Sequence, residues 1–327
     1  MLASSLIIGF FEVHATVYYV SSSSVYQDYC SLARPCRTLN DSAYAISYMN
    51  SNSEHIVNIL NNPLINTSAI CNTAQYNPRH FQKDTDHAAS YYPSILFAYI
   101  GQFVCQKGTL QFSQINFKLE AGESKMPFCI SGVASTAKIV FKDCRSSMET
   151  PGTISTRGLI EMNNSANLTF DYTSTNYYFH ALVISLERRP LMQFDNNAGS
   201  ITIRNAAFEN VTRQYGNGGA IYVELSQSMQ GLVFNNVTFK YCTVNTTNNN
   251  LGGGIYIKGN AAYKSSCTFQ ISSEGYKSHY IGCEARYGKG IFIETNDFTS
   301  YVTNSSSDGL KQVGNLPDTL DEREMMG

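Results

Sequence analysis

Three aspartates and two arginines are the residues of this chain that could carry out chemistry on a polysaccharide. Hydrolysis of a glycosidic bond needs two neighbouring carboxyl groups, and a lyase needs Ca²⁺-binding carboxylates beside a basic Arg or Lys. Asp143 and Asp171 each follow the start of an apolar stretch by three or four residues, whereas Asp195 belongs to another series of strands. With Arg188 or Arg189 nearby they would make at most a degenerate acidic site, and turn capping is the better interpretation. The sequence therefore predicts no catalytic residue.

The sequence also predicts no bound metal and no cofactor. His80, Asp84 and Asp86 have side chains that ligate metals, but their spacing matches no known metal-binding loop. The polar stretch 72–90 that contains them is predicted to be an inserted, solvated loop. The glycines at 216–219 are followed by no helix, so they do not indicate a dinucleotide-binding loop.

The nine cysteines are an odd number, so at least one has no partner within the chain. Cys30 and Cys36 bracket a short loop and are predicted to close it with a disulfide. Cys242 and Cys283 end similar stretches that contain aromatic residues. Stacking of those stretches would bring the two Cα atoms to roughly 5 Å, within disulfide range. Disulfides indicate an oxidising, extracellular compartment.

Eight Asn-x-Ser/Thr sequences are candidate N-glycosylation sites, because such sequences accept glycans on exposed turns of secreted proteins. They begin at Asn40, Asn66, Asn163, Asn167, Asn210, Asn236, Asn245 and Asn304. Chance occurrence in an Asn-rich and Ser-rich chain is the alternative for each of them. Asn210 and Asn236 occupy matching places after a strand, so both are predicted to lie on one face.

The chain has 22 tyrosines and no tryptophan. Five of the tyrosines either stack in the core or form a surface that binds a sugar or a protein. They are Tyr177, Tyr178, Tyr222, Tyr256 and Tyr287. The sequence leaves both interpretations open.

Tyr222, Tyr256 and Tyr287 lie in a sequence repeat. A small-residue turn followed by Ile, an aromatic, a β-branched residue and a charge occurs at 216–224, 251–258 and 287–294. The isoleucines of the three copies are 34 and 36 residues apart, and upstream strands begin at intervals of 29, 29 and 33 residues. Intervals of this size are typical of solenoids, propellers and helical arrays. Alternating apolar and polar residues between Asn, Gly and Thr turns indicate strands.

The predicted fold class is all-β: a right-handed parallel β-helix, or solenoid, with a short N-terminal capping helix. Runs of glycine and asparagine exclude helical repeats, and a propeller blade needs about 40 or more residues. In a β-helix each coil stacks about 4.8 Å above the last, so equivalent residues align, Ile over Ile and Tyr over Phe. Parallel crossovers are right-handed in about 98% of cases.

The predicted domain order begins with a secretory signal peptide at 1–15, an apolar run that ends in small residues. Residues 16–55 are predicted to hold a first strand, the cysteine loop and the capping helix, which begins near Thr38. The β-helix is predicted at 56–300, and 301–327 is a polar tail predicted to be disordered. No stretch after the signal peptide is long and apolar enough to predict a membrane span.

Several short motifs resemble the pectin-lyase-like right-handed β-helix superfamily. They are Cys-Arg-Thr-Leu at 36–39 after a Cys-bracketed loop, Phe-Asp-Asn-Asn at 194–197, Gly-Gly-Ala-Ile at 218–221 and, in part, Gly-Gly-Ile at 253–255. The later motifs are similar to the GGAI and FxxN repeats of large protist surface proteins and of chlamydial polymorphic outer-membrane proteins. The resemblance implies a β-helix and a surface location, and it implies much less about activity.

Two functions fit the sequence. The first is a secreted or surface-displayed, non-catalytic β-helix protein for adhesion, coat structure or partner binding; the alternative is a polysaccharide lyase or glycoside hydrolase on the same fold. The charges that recur, Glu224, Lys258 and Glu294, alternate in sign and predict a ladder of exposed ion pairs, which favours the first function. A net charge of −2 argues against nucleic acid as a partner. A carbohydrate or a cell-surface protein is the candidate partner, and the predicted localisation is extracellular.

Overall fold

A computed structural model describes most of the chain from Thr16 to Thr295. The described residues are 16–26, 30–39, 55–65, 68–71, 79–86, 92–98, 100–122, 125–170, 179–195, 198–225, 231–248, 250–259, 268–270 and 279–295. The predicted signal peptide, most of the predicted capping helix and the predicted tail lie outside these residues.

The described chain is built almost wholly from strands, with one short 3₁₀ turn at Thr246–Asn248. The first twelve strands are β1 (Thr16–Val20), β2 (His55–Ile59), β3 (Leu64–Ile65), β4 (Ser68–Cys71), β5 (Arg79–Lys83), β6 (Ser94–Phe97), β7 (Gln102–Cys105), β8 (Gly108–Ser113), β9 (Asn116–Leu119), β10 (Phe128–Gly132), β11 (Ala137–Lys142) and β12 (Arg145–Met148). The others are β13 (Gly158–Met162), β14 (Asn167–Phe170), β15 (Phe179–Leu186), β16 (Met192–Phe194), β17 (Ser200–Arg213), β18 (Ile221–Leu225), β19 (Gly231–Lys240), β20 (Thr243–Val244), β21 (Ile255–Gly259), β22 (Thr268–Gln270), β23 (His279–Ile281) and β24 (Ile291–Thr295).

The strands stack in parallel on three faces. The first face runs β1-β2-β5-β8-β11-β14 and continues into the first halves of β17 and β19, and the second runs β3-β6-β9-β12-β15 into their second halves. The third face is an eight-stranded sheet in the order β4-β7-β10-β13-β16-β18-β21-β24. From β2 onward, each coil contributes a strand or half of a long strand to each face, which confirms the all-β, parallel β-helix prediction.

The glycine-motif strands align as the repeat predicts. Ile221 pairs with Ile255, and Ile255 pairs with Ile291 in the next coil. A Cβ atom on Gly219 would lie 2.1 Å from the carbonyl oxygen of Gly253, so the motif needs glycine where successive coils touch through their backbones. Stacking of like residues therefore explains why the motif recurs.

The interior of the β-helix is filled by rings of phenylalanine. Phe112 lies at the centre of one cluster, with ring centroids 5.6 Å from Phe81, 5.1 Å from Phe103, 5.1 Å from Phe117 and 5.4 Å from Phe141. Alternate residues of each strand point inward, so each coil adds its own rings to a continuous column. This packed interior leaves the outer surfaces of the three faces as the places where a ligand can bind.

The corner between the first and second faces is a single residue in the left-handed region. Gln114, Asp143, Asn205 and Asn236 occupy it in different coils, with φ between 48° and 55°. The Asn236 side-chain nitrogen donates to the Asn205 side-chain oxygen at 2.8 Å, so the corner residues also bond between coils. Asn and Asp are enriched in this conformation, which supports the turn-capping interpretation of Asp143.

The prediction that Asn210 and Asn236 share a face is wrong. Glu209 pairs with Lys240, so Asn210 aligns with Tyr241 at a second left-handed position, five residues after the corner at Asn205. Asn236 lies at the earlier corner. The sequences around the two asparagines look alike because β17 and β19 each pass through both faces.

The predicted loop at 72–90 contains a strand of the β-helix. β5 pairs with β2 on one side and with β8 on the other. Its Phe81 is buried and faces the ring of Phe112. The polar residues around a single buried aromatic hide this strand from a reading of the sequence alone.

The cysteine loop adjoins the first coil. Cys30 and Cys36 form the predicted disulfide, with Cα atoms 4.4 Å apart, and the Cys36 amide donates to the Tyr19 carbonyl at 2.8 Å. β1 itself pairs with β2, so the first face extends back to Thr16. Within the described residues no helix has the length and apolar character needed to cross a membrane.

Candidate functional site

The outer surface of the second face contains a polar groove of about 470 Å³, hereafter the Arg145 groove. It crosses β6, β9, β12 and β15. Its lining residues are Tyr92, Ser94, Asn116, Lys118, Arg145, Ser146, Ser147, His180 and Leu182. The groove therefore draws side chains from four successive coils.

Strand register places one polar residue from each of these coils in a row. Ser94 pairs with Asn116, Asn116 with Arg145, and Arg145 with His180. A second row, two residues further along, aligns Lys118 with Ser147. Because side chains alternate across a strand, both rows point to the outside.

An amide on the floor of the groove holds two hydroxyl groups. The Asn116 side-chain nitrogen donates to the Ser94 Oγ at 3.2 Å and to the Ser147 Oγ at 3.4 Å. Each partner belongs to a neighbouring coil, so these hydrogen bonds connect three adjacent strands of the face. The hydroxyls keep lone pairs and a proton for a ligand.

Arg145 is held over the wall of the groove by an aromatic ring. Its guanidinium carbon lies 4.0 Å from the Tyr92 ring centroid, a cation–π arrangement. The Tyr92 hydroxyl donates to Asp143 Oδ1 at 2.5 Å, and Gln114 donates to Asp143 Oδ2 at 3.3 Å. Asp143 therefore positions Tyr92, which in turn positions the arginine.

The groove has an excess of positive charge. No carboxylate among the described residues forms an ion pair with Arg145 or Lys118. His180 Nε2 lies 3.7 Å from Glu209 Oε1. Burial lowers the pKa of His180, Glu209 raises it and the charge of Arg145 lowers it further. The two cations, Arg145 and Lys118, make the groove an attractive place for an anion.

The arrangement does not activate a nucleophile. In the described part of the chain, the hydroxyls of Ser94 and Ser147 bond to Asn116 rather than to an imidazole or a carboxylate. Nucleophilic catalysis requires the hydroxyl to bond to its base. The groove can bind and orient a ligand with cations, an amide and hydroxyls.

The sequence analysis singled out none of the residues that line the groove, although it did single out Asp143, which lies beside it. One signal was available: Asn116 and Arg145 are 29 residues apart, the interval that separates the upstream strands. His180 follows Arg145 after 35 residues, so the interval alone does not align it. Only the pairing of β12 with β15 shows that the two residues are neighbours.

The residues singled out from the sequence lie in separate places. Asp143 is at a corner beside the Arg145 groove, Asp195 follows a strand of the third face, and Asp171 lies outside the described residues. His80 is in β5, while Asp84 and Asp86 follow that strand. Among the residues that the structure describes, no group of three or more His, Cys, Asp or Glu side chains could hold a metal ion.

The third face contains a pair of acidic residues that the sequence did not reveal. Glu161 pairs with Gln193, and Asp195 accepts a hydrogen bond from Gln193 at 2.8 Å. Burial raises the pKa of Glu161, and the neighbouring charge of Asp195 raises it further. Asp195 therefore has an acidic neighbour 34 positions upstream, which only the strand register brings beside it.

Replacing Glu161 with glutamine is expected to stabilise the protein at pH 7. The folded state raises the pKa of this carboxyl, so it binds the proton more tightly than the unfolded chain and loses stability as pH rises above about 4.3. Glutamine removes that cost and can still accept the hydrogen bond from Ser131. We expect a gain of up to about 1 kcal/mol at pH 7, measured by urea denaturation.

The gain should shrink as the pH falls from 7 toward about 4 and vanish below it, because the Glu161 carboxyl is then protonated in both the folded and the unfolded state. The exposed Glu149 provides the matched control, because Glu149→Gln removes a charge without relieving burial. A pH-independent gain, or an equal gain from Glu149→Gln, contradicts this explanation.

The predicted charge ladder forms in part on the third face, with one ion pair. Glu224 pairs with Lys258 and Lys258 with Glu294 along the strands. The Lys258 Nζ lies 3.4 Å from Glu224 Oε1, while Glu294 accepts a hydrogen bond from the Tyr256 hydroxyl. The ladder thus connects side chains of three coils.

The tyrosines divide between the two interpretations. Tyr222 and Tyr256 stack with ring centroids 5.3 Å apart, and Tyr256 is buried while Tyr222 is partly exposed. Tyr287 is exposed. Tyr177 and Tyr178 lie outside the described residues.

Cys242 and Cys283 lie side by side, as the stacking argument predicts. The Glu284 amide donates to the Cys242 carbonyl at 3.0 Å, and the two thiols share a hydrogen bond. The structure holds both as buried thiols rather than as a disulfide, so the bond between them stays a prediction.

The candidate glycosylation sites differ in exposure. Asn210 and Asn245 are exposed, whereas Asn163, Asn167 and Asn236 are partly buried. The Asn167 side-chain oxygen also accepts from the Ser200 amide at 2.8 Å. Asn40, Asn66 and Asn304 lie outside the described residues. Exposure therefore favours Asn210 and Asn245 as acceptors.

The third face, with its acidic pair, and the second face, with its cationic groove, are the two chemically distinctive surfaces. Comparison of the chain with protein-family models, with curated proteins and with solved structures found no match.

Proposed function

We propose that this chain is a secreted or surface-displayed, non-catalytic β-helix protein of the right-handed, pectin-lyase-like type. Its role is adhesion, coat structure or partner binding. The Arg145 groove is the observation that supports this most. Its cations have no described carboxylate partner, and its serine hydroxyls bond to an amide instead of a base.

Three features support the extracellular part of the proposal. They are the signal-like residues 1–15, the sequons, and the disulfide between Cys30 and Cys36. Secretion of the full chain from a eukaryotic host tests it. A secreted protein whose N-terminus is Thr16 supports the proposal. A protein that stays inside the cell with residues 1–15 still attached contradicts it.

A polysaccharide lyase or glycoside hydrolase is the second candidate function. The acidic pair of Glu161 and Asp195 is the observation that favours it, because neighbouring carboxyls with raised pKa values suit acid–base catalysis. However, burial is the largest cause of the raised pKa of both carboxyls. Carboxyl groups with a purely structural role can also be buried against the surface of a packed sheet.

We expect no turnover of pectate, polygalacturonate, alginate or chondroitin by the full chain, with or without Ca²⁺. The measurement is the release of reducing ends and of unsaturated products over a range of pH. Turnover that disappears in Glu161→Gln or Asp195→Asn, but persists in Glu149→Gln, overturns the non-catalytic proposal. Loss of turnover in Asp143→Ala would also overturn the non-catalytic proposal and would place the active site at the second face.

A further inference from the structure

The two cations of the Arg145 groove, which pair with no carboxylate among the described residues, are arranged for a ligand with several acceptor atoms. Arg145 aligns with Asn116, and Lys118 aligns with Ser147. The two residues are thus offset by one coil and by two positions along the strand, so their Cα atoms are about 8 Å apart. Both long side chains can reach one point between them from different directions.

The Ser147 hydroxyl is a neutral donor in the same region. Asn116 and Ser147 lie on the adjacent strands β9 and β12 and are bonded to each other. The Tyr92 ring covers one face of the Arg145 guanidinium, which leaves the donors along its edge for a ligand. The available protons therefore converge in three dimensions rather than in one plane.

This geometry favours a tetrahedral oxyanion over a carboxylate. A carboxylate has two oxygens with coplanar lone pairs and suits one bidentate arginine. A sulfate or phosphate ester has three terminal oxygens that point in different directions, and so can meet an arginine, a lysine and a neutral donor together.

We propose that the Arg145 groove binds a sulfate or phosphate ester of a sugar, with Arg145 and Lys118 holding the ester oxygens. This proposal rests on the proposed binding function and names the ligand chemistry of the same groove. The hydroxyls of Ser94 and Ser147 suit sugar hydroxyl groups, and Leu182 offers an exposed apolar side chain for the sugar ring. A groove of about 470 Å³ has room for a ligand of this size.

Calorimetric titration of the full chain tests the proposal with five probes at one pH and low salt. They are galactose 6-sulfate, galactose 6-phosphate, galacturonate, O-phosphoserine and galactose. We expect at least one of the two sugar esters to bind at millimolar concentration or below, more tightly than galacturonate, O-phosphoserine and galactose. Comparison of the sulfate with the phosphate identifies which ester the groove prefers.

Two variants assign binding to the groove. Arg145→Gln and Lys118→Gln should each weaken ester binding about tenfold or more, as expected for loss of a charge-assisted hydrogen bond. Lys138→Gln is the matched control, because Lys138 is exposed on β11 of the first face. It should leave the affinity unchanged within about twofold. Thermal denaturation of each variant verifies that the fold is intact.

Several results would overturn the proposal. They are no ester binding, galacturonate or O-phosphoserine binding as tightly as the esters, and equal weakening by Lys138→Gln. Each of them leaves the broader binding function standing. Release of free sulfate or phosphate from a bound ester would show that the groove hydrolyses it. That result would contradict the non-catalytic function but support the assignment of the ligand.

Discussion

Replacing Phe112 with alanine is expected to lower the free energy of unfolding by about 3–5 kcal/mol, the range for a buried Phe→Ala change. The Phe112 ring is fully buried. Its neighbours come from all three faces: Phe81 and Phe141 from the first, Phe117 from the second and Phe103 from the third. Movement of one strand therefore cannot close the cavity. Urea denaturation followed by circular dichroism measures the loss.

Tyr215→Ala is the control for this prediction, because about half of the Tyr215 surface is already exposed at 49%. Its effect should stay within about 0.5 kcal/mol. If the two variants unfold at the same urea concentration, the phenylalanine column does not hold the coils together as the structure indicates.

Replacing Gly253 with alanine is expected to destabilise the β-helix by about 3 kcal/mol or more, at or above the upper end of the usual range for overpacking. A methyl group there would lie 2.2 Å from the Lys289 carbonyl oxygen, 2.8 Å from that of Glu284 and 2.9 Å from that of Cys242. All three oxygens belong to the backbone, so no side-chain rotation relieves the overlap. The coils would have to separate, and the yield of soluble protein and the urea midpoint should both fall.

Gly152→Ala is the matched control. Gly152 has φ +80°, but no atom of the described residues lies within 4 Å of the place that a methyl group would take there. Alanine at this position therefore costs only the left-handed conformation, about 1–2 kcal/mol. Equal effects at Gly152 and Gly253 would mean that backbone conformation, rather than contact between coils, explains the repeated glycines.

Much of the fold could be predicted from the sequence, because a β-helix stacks like residues on one another. The repeated glycine motif predicted that Ile221, Ile255 and Ile291 align, and they do. The strand β5, predicted to lie in a loop, has no such repeated pattern. That strand has a single buried aromatic residue, Phe81. Its other residues are polar, so the sequence around Phe81 does not show the apolar alternation that indicates a strand.

The candidate site could be predicted much less well. A binding groove depends on which outward residues become neighbours, and those residues do not repeat in type. Asn116 and Arg145 could be aligned by the 29-residue interval, but His180 could not, because its coil is six residues longer. For the same reason, the sequence did not predict that Glu161 and Asp195 are neighbours.

The sequence by itself determined the architecture, since like residues recur along the chain at intervals of 29 to 36 residues. It also determined the Cys30–Cys36 disulfide, because a separation of 6 residues holds the two cysteines close. Only the tertiary structure decided the chemistry of the outer faces. Coils of unequal length shift the register from one strand to the next, so contacts such as that of Arg145 with Tyr92 arise across more than 50 residues of chain. Such contacts are fixed by backbone pairing between coils, which no local pattern encodes.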